Sequence, residues 1–325
     1  MENTFNIVLL TALPASGKSE VRRFLANVEP EKLARDFHIG ETIQLDDFPY
    51  VHMMRRLDDE LAALGKERMF FASPDKPFRN PADWGTLIET INQDYRDLLS
   101  SKKYDVASAG EWLMDKIETA SKKVGVKPRL STLDADTRKK LADRIEKESA
   151  DLLKDKYASY TKDFNGKTIV IEFARGGADG SSMPLKAPFG YDYSFSCLDE
   201  DILKKAVILY IWVTPEESRR KNNARANPDD PGSILHHGVP MEVMLNDYGT
   251  DDMQWLYDHS EVKDTITVKK GSLKFHVPFA RFDNRVDKTS FLRDEKGKWD
   301  AKKVEEVRNG IKSATDVLYS LFAKK

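Results

Sequence analysis

Five short apolar-rich segments are spaced along the chain among longer stretches in which apolar positions recur every three or four residues. Ile7-Val8-Leu9-Leu10 and Ala206–Val213 are unbroken apolar runs, while Thr42–Phe48, Lys167–Phe173 and Phe275–Phe282 carry polar residues between their apolar ones. Unbroken apolar runs of this length suit strands covered on both faces. Pro278 inside the last segment implies a bulge or an edge position. Helical spacing is read after Gly17, with Pro30 near the end of that helix, and from Val51 to Gly65. It returns at Leu87, Ile91, Tyr95, Leu98 and Leu99, from Trp112 to Val124, and from Asp134 to about Tyr160. A short helix is expected from Leu198 to Lys205, and another after Thr214 as N-cap with Pro215 at its first position. The C-terminal stripe Val304, Val307, Ile311, Ala314, Leu318 and Leu321 reads as a helix docked on its own domain rather than a dimer seam. Buried strands alternating with helices predict an α/β fold, a parallel sheet of about five strands with helices on both faces and a large helical insertion after the second strand.

The connecting segments carry their own expectations. The aromatic stretch from Phe70 to Trp84 is read as an ordered loop packing the insertion, with base or sugar stacking as the alternative. Arg175–Ser182 is Gly-rich and expected to be flexible, and Asn227–Pro240 suits a mobile lid or surface loop. His236-His237 near Asp229-Asp230 has no helix-based ligand spacing, so an exposed loop is preferred to a metal site. Basic runs such as Arg138-Lys139-Lys140 are read as a solvated helix surface.

Composition changes this picture little. A chain of 325 residues with 33% charged and 40% hydrophobic residues has room for one large or two ordinary domains. The net charge of −2 does not advertise a nucleic-acid groove. A lone Cys197 excludes an internal disulfide and suits a reducing compartment. No apolar run is long enough to span a membrane and the N-terminus has no signal-peptide pattern, so a cytoplasmic protein is expected. Homo-oligomer formation stays open.

The chemistry concentrates after the first strand, at Ala12-Leu13-Pro14-Ala15-Ser16-Gly17-Lys18-Ser19, which opens into the helix beginning near Glu20. In a strand–loop–helix of this kind, backbone N–H groups cradle phosphate oxygens and the helix N-terminus adds its positive end. Lys18 is then placed to reach the β/γ-phosphates, and the Ser19 hydroxyl to ligate Mg²⁺. Without phosphate, Lys18 is expected as a surface charge. Other strand ends carry Asp46 and Asp47, Glu172, and Thr214 followed by Arg219, Arg220 and Arg225.

The loop resembles the Walker A motif of P-loop nucleotide-binding proteins, with Ala12 in place of the first Gly, a departure that matters only if residue 12 needs positive φ. The sheet framework looks like that of the P-loop small-molecule kinases, the class of uridine kinase, phosphoribulokinase, gluconate kinase and adenylate kinase. Asp46-Asp47-Phe48-Pro49-Tyr50 is similar to the Asp-x-Phe-Tyr segment of the uridine kinase group, Ile169–Glu172 to its third strand, and Val213–Arg220 with Arg225 to the arginine-bearing lid helix. The likeness covers under half of the chain. It implies ATP and Mg²⁺, with Asp46 as base toward a small-molecule hydroxyl, Asp47 in a lesser role, Glu172 with Ser19 at the metal, and Asn284 in a nucleotide-contacting loop. It also implies a core of residues 1–50 and 165–325, a lid near 215–250, and an insertion at 51–164 that binds the acceptor. A nucleotide-dependent switch, or a kinase of polynucleotides or nucleotide-sugars, would share the loop.

Overall fold

The computed structural model describes residues 4–225 and 238–324. The first apolar run forms β1 (Ile7–Thr11), buried at all five positions. After it come α1 (Lys18–Ala26), α2 (Pro30–Phe37) and β2 (Glu41–Asp46). One helix was expected where there are two: Pro30 opens α2 at its first position, where a missing N–H costs nothing, instead of closing α1. Helices α3 (Phe48–Ala63), α4 (Asp83–Ser100), α5 (Ala109–Lys123) and α6 (Ala135–Ala158) precede β3 (Lys167–Phe173). Then follow α7 (Gly190–Cys197), α8 (Glu200–Lys205), β4 (Ala206–Trp212), α9 (Pro215–Arg225), α10 (Met241–Asn246) and α11 (Met253–Asp258). The chain finishes with β5 (Thr265–Lys270), β6 (Leu273–Asp283) and α12 (Ala301–Phe322). None of the described helices is long and apolar enough to cross a membrane.

The fold is α/β, with one six-stranded sheet in the order β2-β3-β1-β4-β6-β5. β1 pairs in parallel with β3 and β4, and β4 in parallel with β6; β5 alone is shown antiparallel, against β6. The sixth strand, β5, adds to the five expected. Its alternation of buried Ile266 and Val268 with Thr267 and Lys269, followed by Gly271 at φ 59°, is a hairpin pattern the apolar-run reading passes over. Pro278 therefore lies on an inner strand, not an edge. Pairing of β6 with β4 begins at Phe279, one residue later, so the missing N–H removes no rung of that ladder.

Two compact units divide the chain: residues 1–43, 165–196 and 200–325 form one, and 44–164 with 197–199 the other. In the first, successive side chains of each strand alternate between the faces of the sheet. Val8 and Leu10 of β1, Leu209 and Ile211 of β4, and Phe282 of β6 share a core with Phe24 of α1, Phe37 of α2 and Val307, Ile311 and Leu318 of α12. Full burial is worth roughly 1.5–3 kcal/mol per large apolar side chain, which explains why the C-terminal stripe is spent on its own unit. On the opposite face Phe173 and Tyr210 meet Phe195 and Tyr191 of α7. The Gly-rich segment after β3 is pinned, against expectation. Gly177 and Thr250 exchange backbone hydrogen bonds of 2.9 and 3.2 Å, and a Cβ on Gly176 would stand 2.4 Å from the Thr250 oxygen. Gly176 serves close backbone approach rather than mobility.

In the second unit Ser108 caps α5 by accepting the Glu111 N–H, and Asp134 caps α6 by accepting that of Thr137. The aromatic segment is packed: the Asp58 carboxylate accepts the N–H groups of Met69 and Phe71, both at 2.6 Å, and Phe71 stacks on Phe78. Lys139 and Lys140 pair with Asp143 and Asp136 on the exposed face of α6.

Candidate functional site

β1 and β4 are neighbours whose connections leave in opposite directions along the sheet, β1 toward β3 and β2, β4 toward β6. The carboxyl ends of such a pair form a crevice where ligands bind in open α/β sheets. Residues 12–17 leave β1 at this point and are buried throughout. Positive φ falls at Ala15 (54°) and at Gly17 (109°), not at Ala12, so the alanine at the first position of the loop carries no such strain. Gly17 is required: a Cβ there would sit 2.5 Å from Thr289 Oγ1 and 2.8 Å from Asn284 Nδ2.

Three carbonyls of the loop are held from behind. Lys18 Nζ lies 3.5 Å from the Ala12 oxygen, Ser218 Oγ donates to the Pro14 oxygen at 2.7 Å, and Asn284 Nδ2 donates to the Ser16 oxygen at 2.6 Å. Each peptide is trans, so fixing the oxygens of residues 12, 14 and 16 turns the N–H groups of residues 13, 15 and 17 the other way. The first intrahelical bond of α1 runs from the Val21 N–H to the Gly17 oxygen. The N–H groups of Lys18, Ser19 and Glu20 therefore remain at the positive end of the helix. Alternating left-handed residues whose N–H groups point to one side make an anion-binding concavity.

Lys18 is only 9% exposed, folded back over its loop rather than standing on the surface as expected. Ser19 is half-buried in the first turn. Glu20 is buried and pairs with Arg293 at 2.5 Å, an ion pair that anchors α1. The hydroxyls of Thr11 and Ser16 and Nη1 of Arg219 are buried and find no hydrogen-bond partner among the described residues. Such a group costs about 1–3 kcal/mol when left unsatisfied.

The remaining expected residues are distributed as follows. Asn284 is fully buried, donating also to Thr289 Oγ1 at 2.9 Å and accepting the Lys288 N–H at 2.7 Å, so that it supports the loop from beneath. Glu172, opposite Leu10 in the β1–β3 register, is bonded to Arg22 of α1 at 2.6 Å. Arg219 is mostly buried on α9, whereas Arg220 is 58% exposed and held by Glu217 at 2.7 Å. Arg225 ends α9, and its side chain lies outside the described residues, as do residues 226–237 with Asp229, Asp230, His236, His237 and most of the segment expected as a lid. Asp46 and Asp47 belong to the second unit. There Asp46 Oδ1 accepts the Phe48 N–H at 2.8 Å, capping α3, and Asp47 is buried. Among the described residues no three His, Cys, Asp or Glu side chains converge as a metal cage.

Sequence reasoning missed Ser218 and Thr289 as supports and read Asn284 as part of a nucleotide-contacting loop. Ser218, Asn284 and Thr289 lie far from the loop in sequence, and behind them Lys221, 1% exposed on its side chain, bonds Asp287 at 2.8 Å and Thr289 at 3.3 Å. Burial works to raise the Asp287 carboxyl, but the hydrogen bonds from Lys221 and Ser290 outweigh it and hold the group well below the usual range. The only local signal was Thr214, whose hydroxyl accepts the Glu217 N–H and so sets the helix that carries Ser218. Comparison with protein-family models, with curated proteins and with solved structures finds no match.

Proposed function

We propose that residues 12–19 bind the phosphates of a nucleoside triphosphate and that the protein is a phosphotransferase, moving the γ-phosphoryl group of ATP to a hydroxyl of a small molecule. The observation that carries this reading is the orientation of the loop: carbonyls 12, 14 and 16 tied down, one of them by Lys18, and N–H groups 13, 15 and 17 turned the other way. Phosphoryl transfer asks little covalent chemistry of a protein and much positioning and charge stabilisation. In this reading the loop N–H groups and the α1 terminus hold the phosphate oxygens. Lys18 swings from the Ala12 oxygen to the β/γ-phosphates, and Arg219 offers its unsatisfied Nη1 to the transferring group. Asp46 takes the proton of the acceptor hydroxyl. Mg²⁺, which binds through one or two protein oxygens plus phosphates and water, would take the Ser19 hydroxyl, with Glu172 available only if it leaves Arg22.

The test is ATP titration of the Lys18→Ala variant. Losing one charge-assisted contact, worth about 1.5–3 kcal/mol, should weaken binding by one to two orders of magnitude. Unchanged ATP affinity would overturn the phosphate assignment. A screen of nucleosides, sugars and vitamins for acceptor-dependent ADP release then tests the transfer step, and hydrolysis indifferent to every acceptor would favour a nucleotide switch.

A further inference from the structure

A second cavity, of about 160 Å³, opens on the other face of the sheet, where β4 and β6 end beside the first turn of α9. The strand register puts it there: Ile208 pairs with Phe279 and Tyr210 with Arg281, so Tyr210, Trp212, Phe279 and Arg281 point away from the α12 core. The segment 250–254 closes it with Asp251 and Gln254.

The two adjacent acids have divided roles. Asp252 turns inward and accepts the N–H groups of Tyr191 at 2.6 Å and Asp192 at 3.2 Å in the first turn of α7. Asp251 turns to the cavity, where its carboxyl accepts the Tyr210 hydroxyl at 2.7 Å and the Met253 N–H at 2.9 Å. Burial pushes the Asp251 carboxyl up. Gln254, at the rim, accepts from Arg281 Nη1 at 2.5 Å and donates through Nε2 to Asp258 Oδ1 at 2.7 Å, which leaves its second N–H and one lone pair for a ligand. The Arg281 guanidinium carbon lies 4.5 Å from the Trp212 ring centre and 5.4 Å from that of Tyr257, and the Arg285 guanidinium carbon lies 3.6 Å from the Trp212 ring centre. Thr250 is bonded through both its N–H and its oxygen to Gly177, so the wall is fixed before anything binds.

Aromatic and guanidinium planes on the walls with two adaptable polar groups on one side are the elements that recognise a flat ring by its edge. A cavity of about 150 Å³ takes one benzene ring, so this one takes a single ring rather than a fused pair. We propose that it binds one planar heteroaromatic ring bearing a neighbouring hydrogen-bond donor and acceptor, with Tyr210, Trp212 and Phe279 as walls and Gln254 and Asp251 reading the edge. The proposal does not depend on the phosphate reading.

Cytosine and nicotinamide, titrated against the full chain while tryptophan emission is followed, are suitable probes, with toluene as the control lacking polar edges. Saturable binding of at least one probe is expected, weakened about tenfold or more by Gln254→Ala and lost in Asp251→Leu, while Lys18→Ala leaves it unchanged. Gln254 is exposed, so its variant keeps the fold even if the Asp251 variant does not. No saturable binding of either probe, binding indifferent to Gln254→Ala, or toluene binding as well as the heteroaromatic rings would each overturn the assignment.

Discussion

Asn284→Ala asks whether the posture of the loop depends on what lies beneath it. The side chain is fully buried and makes three hydrogen bonds, to the Ser16 oxygen, to Thr289 Oγ1 and from the Lys288 N–H. Truncation leaves two backbone groups buried without their partner. At about 1–3 kcal/mol for each unsatisfied group, less what an entering water recovers, the loss of stability comes to about 2–4 kcal/mol. For a unit of this size each kilocalorie moves the melting temperature by roughly 2–4 °C, so a drop of roughly 4–16 °C is expected in a thermal scan. The same truncation frees the Ser16 oxygen to rotate, and with it the N–H of Gly17, so ATP affinity should fall well below wild type at temperatures where the variant is still folded. Asn284→Asp separates the two effects: it keeps an acceptor for Lys288 but sets a carboxylate oxygen against the Ser16 carbonyl, and should damage nucleotide binding more. A variant that melts within about 2 °C of wild type, or that melts early yet binds ATP normally, would refute the claim that Asn284 orients the loop.

Ala15 stands in the left-handed region at φ 54° while Ala12 does not. Ala15→Gly should therefore recover about 1–2 kcal/mol of strain against ~0.4–1 kcal/mol of added unfolded-state entropy, and urea unfolding should show it equal to or more stable than wild type, with Ala12→Gly slightly less stable; the reverse order would mean the left-handed residue is misplaced. Burial raises the Asp252 carboxyl to about 6, above its unfolded value near 3.9. A raised acid binds its proton more tightly when folded, so this stabilisation is complete below pH ~4 and is lost as pH rises through about 6; melting temperature against pH should fall less steeply over that window in Asp252→Asn, and parallel curves would refute the assignment. Asp46→Asn keeps an oxygen for the Phe48 N–H and so preserves the cap of α3, yet should cut acceptor phosphorylation by ~10²–10⁴-fold with ATP binding intact, while Asp47→Asn costs much less; full activity in both would make the acids structural.

Where the physics is local, the sequence was sufficient. The burial of β1 and β4 follows from their unbroken apolar runs and that of β3 from its β-branched Thr168–Ile171 stretch, and α4, α5 and α6 follow from their apolar spacing. The turn from β1 into α1 is likewise written in adjacent residues. Reading failed where two local rules competed: Pro30 both ends and begins helices, and Pro278 marks an edge unless the neighbouring ladder starts just beyond it. β5 was missed because it is half polar, and its alternation carries meaning only once β6 lies beside it.

Only the tertiary structure decided what the loop is able to do. Which way its N–H groups point depends on Ser218, which meets Pro14 from 204 residues away, and on Asn284, which meets Ser16 from 268 residues away. No window of sequence contains both partners of either bond. The same holds for the cavity at the ends of β4 and β6, whose walls are assembled by strand register and whose closing segment is fixed by a bridge to Gly177. Short-range patterns state which residues are helix, strand or turn; the direction of a hydrogen-bond donor is set by whatever the fold brings behind it.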